Sequence, residues 1–315
     1  MKVMSFVNVV VVLVGVMLSV AYFTLLERKV LASFHLRKGP TKVGLYGICQ
    51  PLADAIKLFT KEFFCPHLSL KWAFFWAPSA AITIMCLTWS VLYPIKTTCT
   101  LVSLDVLLFL AFSSLNVYVV MVAGWASNSK YATLAANRGF AQAISYEVVF
   151  SVTCFCFTML AKSFNFIRIS WGGEFAYYVS VIPIAGLCWA LVILAETNRS
   201  PFDFVEAESE LVSGYTVEYG GSGFALLFIA EYGNILFMSY FTALLLFPGP
   251  YSSWVIWTMS STLKTLGVAY WFIWVRGSLP RYRYDLLMLA CWKSVLPTAL
   301  VCFLGCYTFV CLVCY

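Results

Sequence analysis

Acidic residues are concentrated in one short stretch of the chain, where their type and spacing suit proton transfer. The stretch covers residues 196–218, reads ETNRSPFDFVEAESELVSGYTVE, and lies between long apolar runs. A charge near the centre of a bilayer costs roughly 2.5–3.5 kcal/mol, so ionisable groups beside membrane spans tend to mark an ion or proton path. Six of the fourteen acidic residues of the chain lie here: Glu196, Asp203, Glu206, Glu208, Glu210 and Glu218.

A solvated loop with one charged face is the alternative interpretation of these residues. Three features favour a partly dry site instead. The acids alternate with apolar residues, the stretch contains no lysine, and two more acids, Glu147 and Glu231, lie inside neighbouring hydrophobic runs. A purely solvated loop would be more polar throughout.

Helical spacing would place three of the carboxylates on one line. Glu206 and Glu210 are four residues apart, and Asp203 precedes Glu206 by three. In an α-helix these positions share a face, whereas Glu208 points away from it. Like charges in a partly dry file cannot all ionise independently, because their titrations couple. Such a file is a reasonable proton relay, and Glu231 with its neighbour Tyr232 would extend it into the membrane.

Another acid has an arginine and a tyrosine as sequence neighbours. Arg138 stands just before the predicted span that contains Tyr146 and Glu147. A carboxyl group placed there must either pair with a cation or exchange a proton. An ion pair of Glu147 with Arg138 or Arg199 is the purely structural interpretation.

The elements that would hold these residues are membrane helices. Of the 315 residues, 62% are hydrophobic and 11% are charged, whereas about a quarter of a soluble domain is charged. Hydropathy predicts an all-α polytopic membrane protein, a single integral domain over residues 1–315, whose N-terminal run is a retained first helix and not a signal peptide. The eight predicted spans are 3–26, 72–95, 101–125, 142–162, 178–195, 222–247, 254–275 and 286–313.

Basic residues divide unequally between the two sides that these spans define. Fourteen of the twenty lie in the loops 27–71, 126–141, 196–221 and 276–285, and four lie on the other side, at Lys2, Lys96, Arg168 and the end of the span 142–162 at Lys162. By the positive-inside rule the charged loops face the cytoplasm or a mitochondrial matrix. The last of them places Arg276, Arg281, Arg283 and Asp285 beside the acids if the four loops gather.

A short amphipathic helix is predicted in the first charged loop. Pro51 suits the first turn of a helix, and Leu52, Ala53, Ile56, Phe59 and Phe63 follow at helical spacing, opposite a stripe formed by Asp54, Lys57 and Lys61. Such an element lies in the membrane interface. It is either a plain anchor or one side of a lateral opening for an amphiphilic ligand. Glu27 and Arg28 are expected at the water end of the first span.

Metal or haem chemistry finds little support in the sequence. Most of the twelve cysteines lie in apolar runs, where they act as small hydrophobic side chains. The CxxC formed by Cys311 and Cys314 has no second CxxC, and the chain has two histidines far apart. No metal site is predicted.

Several motifs resemble one known family. The segments LLERKVLASFHLRKGP, QPLADAIKLFTKE, GWASNSKY, AISYEV, ETNRSPFD, EAESELVSGYTVEY, AEYGNI and PRYRYD occur in order between about Tyr22 and Trp292. They resemble those of membrane subunit 1 of respiratory complex I, the proton-pumping NADH:ubiquinone oxidoreductase. The departures are mild, such as Ser200 and Thr41 where the family usually has Ala and Asn.

The resemblance implies a role for each matched residue. Glu27, Arg28, Arg37, Asp54 and Lys57 would frame the entrance and chamber of the quinone. Tyr146, Glu147, Glu196, Asp203, Glu206, Glu208 and Glu231 would form an acidic path from the quinone to antiporter-like subunits. The supporting charges would be Arg138, Arg199, Glu210, Glu218, Arg281, Arg283 and Asp285.

The resemblance also implies ligands, partners and a location. Ubiquinone would be the bound substrate, FMN and iron–sulfur clusters would belong to partner subunits, and the chain would have no catalytic activity alone. The partners would be quinone-site subunits of the peripheral arm, small membrane-arm subunits and lipids, without nucleic acid. The location would be the mitochondrial inner membrane, with the charged loops in the matrix, or a bacterial plasma membrane.

Other function classes compete with this interpretation. A stand-alone proton or cation transporter would also bury acids, although it predicts internal repeats that the sequence lacks. The related subunit of a membrane-bound hydrogenase shares the loops. A passive membrane anchor gives no reason for acids inside the spans.

Overall fold

The structure is a computed structural model that describes residues 2–92, 104–166, 169, 183–206, 208–247 and 254–314. These residues form helices joined by turns, and no strand occurs among them. The predicted all-α class is confirmed.

Eleven helices are labelled here in chain order. They are α1 Lys2–Phe34, α2 Gln50–Thr60, α3 Lys71–Leu92, α4 Asp105–Ala126, α5 Lys130–Ala161, α6 Pro183–Glu196, α7 Glu208–Leu211, α8 Gly221–Leu246, α9 Trp254–Ser278, α10 Tyr284–Ala290 and α11 Leu296–Cys314. A π-helical turn, Cys291–Val295, joins α10 to α11.

Six of the helical segments among the described residues are long and apolar enough to cross a membrane. They comprise α1, α3, α4, α5, α8 and the continuous α10–α11 segment. α6 is apolar but shorter, and α9 carries Lys264 and Arg276. The count of eight spans therefore stays a prediction. The predicted loops 96–100 and 248–253 lie outside the described residues, as do most of 163–177 and the start of the span 178–195.

Two predicted boundaries are wrong, and both corrections affect charged residues. α1 continues past residue 26 to Phe34, so Glu27 lies inside a helix. α5 begins at Lys130, so the predicted loop 126–141 is mostly helix. Both segments mix polar and apolar residues, and hydropathy therefore ends a span where the helix itself continues.

Small residues allow the helices of the core to approach closely. Gly124 of α4 faces Ala132 and Ala136 of α5, and a Cβ at position 124 would lie 2.3 Å from the Ala136 Cβ. In a membrane, where lipid is as apolar as leucine, helix association depends on such packing. Large aromatic rings fill the remaining space between α4, α5, α6 and α8. The Trp189 ring, for example, lies 5.2 Å from Phe150.

The turns at one end of the bundle contact each other. The Leu70 N–H donates to the Ala126 carbonyl at 3.1 Å, which joins the start of α3 to the end of α4. At the same end, the Tyr282 N–H donates to the Pro201 carbonyl at 3.1 Å. The charged loops thus gather at one end.

The amphipathic helix α2 forms where the sequence predicts it. Pro51 occupies its first turn, where a missing N–H costs nothing. The apolar side chains of Leu52, Ile56 and Phe59 are exposed, as expected of a face that rests on a membrane or a partner. The helix ends at Thr60, so Lys61 and Phe63 lie beyond it.

The close approach of α4 and α5 predicts the effect of one substitution. Gly124→Val places a side chain against the Ala132 carbonyl and the Ala136 methyl group, and we expect a loss of about 1–3 kcal/mol of stability. The measurement is the apparent thermal midpoint of the chain extracted in mild detergent. Gly305→Val is the matched control, because nothing lies within 4 Å of a Cβ there. An unchanged midpoint for Gly124→Val would contradict the packing.

Candidate functional site

Glu27 is the most constrained acid among the described residues. Its Oε1 atom accepts a hydrogen bond from Arg199 Nη1 at 2.8 Å and another from Arg276 Nη1. Tyr232 also hydrogen-bonds this carboxylate, and the Arg199 guanidinium lies 4.5 Å from the centre of the Tyr232 ring. Only 5% of the Glu27 side chain is exposed. The expectation that Glu27 is a water-facing residue is wrong, because α1 continues beyond it and carries it into the bundle.

Arg199 links this cluster to a second group of acids. It lies in the turn after α6, and the carboxylates of Glu27 and Glu206 both act on its charge. Burial alone would lower the pKa of Arg199, but Glu27 raises it, and the net pKa is above the ordinary value. Arg199 is therefore a permanent cation between two sets of acids.

The second group consists of Glu206, Glu231 and Tyr215. The Glu206 and Glu231 carboxyl groups are hydrogen-bonded to each other, and the Tyr215 hydroxyl donates to Glu231 Oε1. Two carboxyl groups can form a hydrogen bond only if one of them carries a proton. Burial raises the pKa of Glu206 above its usual value, and it raises the pKa of Tyr215 as well. The two carboxyl groups can therefore share one proton close to the Tyr215 hydroxyl.

Asp203 links the central stretch, residues 196–218, to the last charged loop. Its Oδ1 atom accepts from the Glu206 N–H at 3.2 Å, and its Oδ2 atom accepts from Arg281 Nη2 at 3.3 Å. The rings of Phe202 and Tyr282 lie 6.0 Å apart beside this contact. Arg281 therefore supports the acids, as predicted for the last charged loop.

The predicted alignment of Asp203, Glu206 and Glu210 on one helical face is wrong. Residues 201–206 form turns, and α7 covers only four residues from Glu208. Pro201 has no N–H to give to a helix, and the Phe202 N–H instead closes a turn on Arg199. Glu210 points away, and its Oε2 atom accepts from Arg138 Nη1 at 2.7 Å in a largely exposed pair.

The stretch folds back on itself at Gly214. This residue has φ +65°, and a Cβ there would lie 1.7 Å from the Val205 carbonyl oxygen. Only glycine permits both the left-handed conformation and this approach. This reversal of the chain brings Tyr215 close to Glu206, where its hydroxyl can reach Glu231.

Glu147 and Glu196 form a third part of the cluster. The negative charge of Glu147 acts on Glu196 at the end of α6. The predicted ion pair of Glu147 with Arg138 or Arg199 is wrong, since these arginines contact Glu210 and Glu27.

Gln142 and Tyr146 of α5 fix the surrounding backbone. Gln142 Nε2 donates to the carbonyls of Ala195 and Phe202 at 3.0 and 3.1 Å. The Tyr146 hydroxyl donates to the Leu287 carbonyl at 3.4 Å. They join α6, the central stretch and α10 to one helix.

Two small cavities connect these groups. One of about 40 Å³ is lined by Glu206, Arg199, Glu231 and Tyr215, and a second of about 20 Å³ reaches Thr88 and Ser113. Four residues line both cavities: Asn116, Glu196, Thr197 and Asn234. A water needs about 10–15 Å³ and polar partners, so both cavities have room for water.

Two buried oxygen atoms beside the larger cavity support this hydration. Glu196 Oε2 and Asn198 Oδ1 have no hydrogen-bond partner within the protein. Buried polar atoms are rarely left unsatisfied. Water molecules in the cavity would satisfy them and would bridge the acids.

The predicted entrance residues other than the buried Glu27 are partly or fully exposed. Arg28 Nη1 donates to Asp54 Oδ2 at 2.6 Å, and Gln50 Nε2 donates to Asp54 Oδ1 at 3.0 Å. Arg37 and Lys57 are exposed. The structure therefore brings Arg28 and Asp54 together and leaves Arg37 and Lys57 at the surface.

The remaining predicted residues lie at the margin. Arg283 and Asp285 pair with each other at 3.0 Å in an exposed position, away from the acids. Glu218 is half-buried, and the side chain of Glu208 lies outside the described part of the structure. Among the described residues, no three His, Cys, Asp or Glu side chains are placed to hold a metal ion.

Comparison with known proteins identifies the family. Residues 7–307 match the family model of NADH dehydrogenase. The chain belongs to this family. It is 50% identical over 284 residues to NADH-ubiquinone oxidoreductase chain 1 of Heterololigo bleekeri, and the match covers 90% of both chains.

Further relatives of the same name agree. The Aedes aegypti chain is 45% identical over 298 residues, which cover 94% of this chain and 93% of the relative. The Murina suilla chain is 45% identical over 300 residues, with 95% and 94% covered. The resemblance drawn from the motifs is confirmed.

Sequence reasoning missed part of the site in this NADH dehydrogenase family member. Gln142, Asn116 and Asn234 are polar residues inside apolar helices, and the argument that selected Glu147 and Glu231 applies to them too. No sequence pattern pointed to Tyr215, because it lies in a polar loop and its partner Glu231 is sixteen residues away. Only the fold-back at Gly214 brings them together.

The Glu27 cluster predicts a large effect of removing one carboxylate. In Glu27→Ala, Arg199 keeps its charge in a buried position without its partner, and we expect a loss of about 3–5 kcal/mol of stability. The apparent thermal midpoint in mild detergent measures it. Asp54→Ala is the control, because Arg28 is 52% exposed and exposed pairs contribute about 0–1 kcal/mol. Equal losses of stability for both variants would contradict a buried ion pair of Glu27 with Arg199.

The raised pKa of Glu206 predicts a pH dependence of local stability. A carboxyl group with a raised pKa binds its proton more tightly in the folded loop, so stability is full below the ordinary value of 4.5 and falls as pH rises through the folded pKa. Hydrogen exchange of residues 199–206 and 208–216, corrected for intrinsic chemistry, should show protection that falls with pH in the native chain. In Glu206→Gln this slope should flatten, whereas the exposed Glu210→Gln should keep it. If protection in Glu206→Gln fell with pH as steeply as in the native chain, Glu206 would not be the group responsible for the pH dependence.

Proposed function

We propose that this chain is the membrane subunit of respiratory complex I that binds ubiquinone and couples its reduction to proton translocation. Family membership makes the chain a subunit of an enzyme complex. The observation that carries the finer proposal is a series of charged groups: Glu27 pairs with Arg199, and the charge of Arg199 acts on Glu206, which is hydrogen-bonded to Glu231. These interactions connect α1, where the resemblance expects the quinone, with acids inside the membrane helices.

The coupling step follows from the position of Arg199. Ubiquinone takes up two electrons and two protons to become ubiquinol. Negative charge that develops beside α1 during this step draws the Arg199 guanidinium and weakens its attraction for Glu206. Glu206 then holds its proton more tightly, and the proton it shares with Glu231 moves toward Glu206. A local change of charge that shifts an equilibrium at a neighbouring site is a known mode of coupling.

The water-sized cavities extend the path. Waters held by Asn198, Asn116 and Asn234 would carry the proton between the Glu206 pair and Glu196, on which the charge of Glu147 acts. Acids linked in this way titrate as a group. One proton received by the group therefore changes the protonation of all its members.

The proposal includes the setting of the chain. Electrons would reach the quinone through FMN and iron–sulfur clusters on partner subunits, and small membrane-arm subunits would continue the acid path. Animal relatives and the apolar helices favour the mitochondrial inner membrane, with the charged loops in the matrix. The names of the relatives favour this function over a stand-alone transporter or a hydrogenase subunit.

The test replaces the proton-sharing acid in the assembled complex. We expect Glu206→Gln to lower quinone-linked NADH oxidation at least about tenfold, because an amide cannot exchange the proton. NADH oxidation by an artificial acceptor that bypasses the quinone should remain unchanged. Native gel migration of the complex checks assembly.

Glu62→Gln is the control for this test, because Glu62 is exposed on a loop outside the cluster. It should retain full quinone-linked activity. Full activity of an assembled Glu206→Gln complex would refute the proton path. Migration of the native chain away from NADH dehydrogenase activity would refute the assignment to complex I.

A further inference from the structure

An apolar groove lies away from the acids, between α6, α8 and α9. Its volume is about 430 Å³, within the 300–1,000 Å³ range of ligand pockets. The walls are formed by Trp189 and Ile193 of α6, Leu246 at the end of α8, and Val268 and Trp271 of α9. The acidic path uses none of these residues.

One polar wall residue is already satisfied inside the protein. The Thr242 hydroxyl accepts from Trp189 Nε1 at 3.3 Å and donates to the Met238 carbonyl at 2.6 Å. The groove therefore offers apolar contact along most of its length. A ligand rich in polar groups would lose hydrogen bonds with water there without replacement.

One end of the groove carries a cation. Lys264 lines it, and its Nζ atom donates to the Phe247 carbonyl at 2.9 Å, just past the end of α8. Lys264 comes ten residues after α9 begins at Trp254, which corresponds to about 15 Å of helix. Trp271 lies seven residues further along α9, about 10 Å deeper.

This arrangement matches the shape and polarity of a membrane phospholipid. The cation lies toward the end of the bundle opposite the charged loops, and the apolar walls run from it toward the middle of the helices. Lys264 lies well inside α9, but its ammonium group reaches the Phe247 carbonyl at the end of α8. A long lysine side chain can direct its charge to the headgroup region in this way. Phosphate is the anionic group available at that depth, and an acyl chain continues from it toward the bilayer centre.

We propose that this groove binds one phospholipid, with its phosphate at Lys264 and an acyl chain between Trp189 and Trp271. The site is separate from the acid cluster. The ligand is a structural lipid that fills the space between α6, α8 and α9. Because α6 ends at Glu196, the lipid packs against the helix that positions one of the acids.

The test uses the assembled complex in its membrane and a phospholipid with a photoactivatable group in its acyl chain. After illumination, mass spectrometry should find the label on peptides that contain Trp189 or Trp271. Excess unlabelled phospholipid should compete, whereas a long-tailed ubiquinone should not. Competition by the quinone alone, or no label on these peptides, would overturn the proposal.

One glycine substitution should block the groove without disturbing the fold, and a second serves as its matched control. Gly267 lines the groove, and nothing lies within 4 Å of a Cβ at that position. Gly267→Phe should reduce labelling at least fivefold. Gly305→Phe, which also has nothing within 4 Å of its Cβ but lies on α11, should leave labelling unchanged. Equal labelling of both assembled variants would overturn the proposal.

The headgroup contact has a test of its own. Lys264→Met keeps the apolar stem and removes the charge. We expect it to reduce labelling by an anionic phospholipid at least threefold in an assembled complex, with Lys293→Met on the exposed part of the π-helical turn as the control. Undiminished labelling in Lys264→Met would overturn the placement of the phosphate.

Discussion

The buried contact between Arg199 and Glu27 is the interaction on which the rest of the site depends. A guanidinium placed in the bundle is tolerated only because carboxylates lie on both sides of it, Glu27 toward α1 and Glu206 toward α8. Each carboxylate in turn depends on the cation. The segments that carry Glu27, Arg199 and Arg276 are therefore held together, since separating any of them leaves a charge without its partner. The same contact places an electrostatic link between the two regions that the proposed function must connect.

Sequence patterns predicted the fold class and most of the acids, for identifiable reasons. Membrane helices require long apolar runs, and a carboxylate inside such a run stands out whatever its final contacts are. The contacts themselves depend on backbone geometry that the spacing misrepresents. Asp203, Glu206 and Glu210 have helical spacing, but Pro201 and the fold-back at Gly214 place them in turns, and Glu210 faces outward. Arg138 and Arg199 form ion pairs with Glu210 and Glu27 and not with Glu147, and no local pattern in the sequence identifies these partners.

Backbone support explains why the acids can stay close together without covalent links. Gln142 holds the end of α6 and the Phe202 carbonyl, and Arg281 holds Asp203 from the last charged loop. Like charges repel most when their neighbours are free to move apart, and here the backbone on both sides is tied to α5 and to the turn before α10. Repulsion is then relieved by binding protons and not by opening the loop. That preference is what a site needs in order to exchange protons with little change of shape.

On the proposed proton path, the size of the two polar cavities limits which cation could pass. Spaces of about 40 and 20 Å³ admit only a few waters, because each water needs about 10–15 Å³. A sodium or potassium ion would have to shed most of its hydration shell to enter these spaces. A proton needs no such space, since it moves by exchange of hydrogen bonds along waters and carboxyl groups. On the proposed path, the narrow polar interior would therefore act as an ion filter that excludes hydrated metal ions by their size.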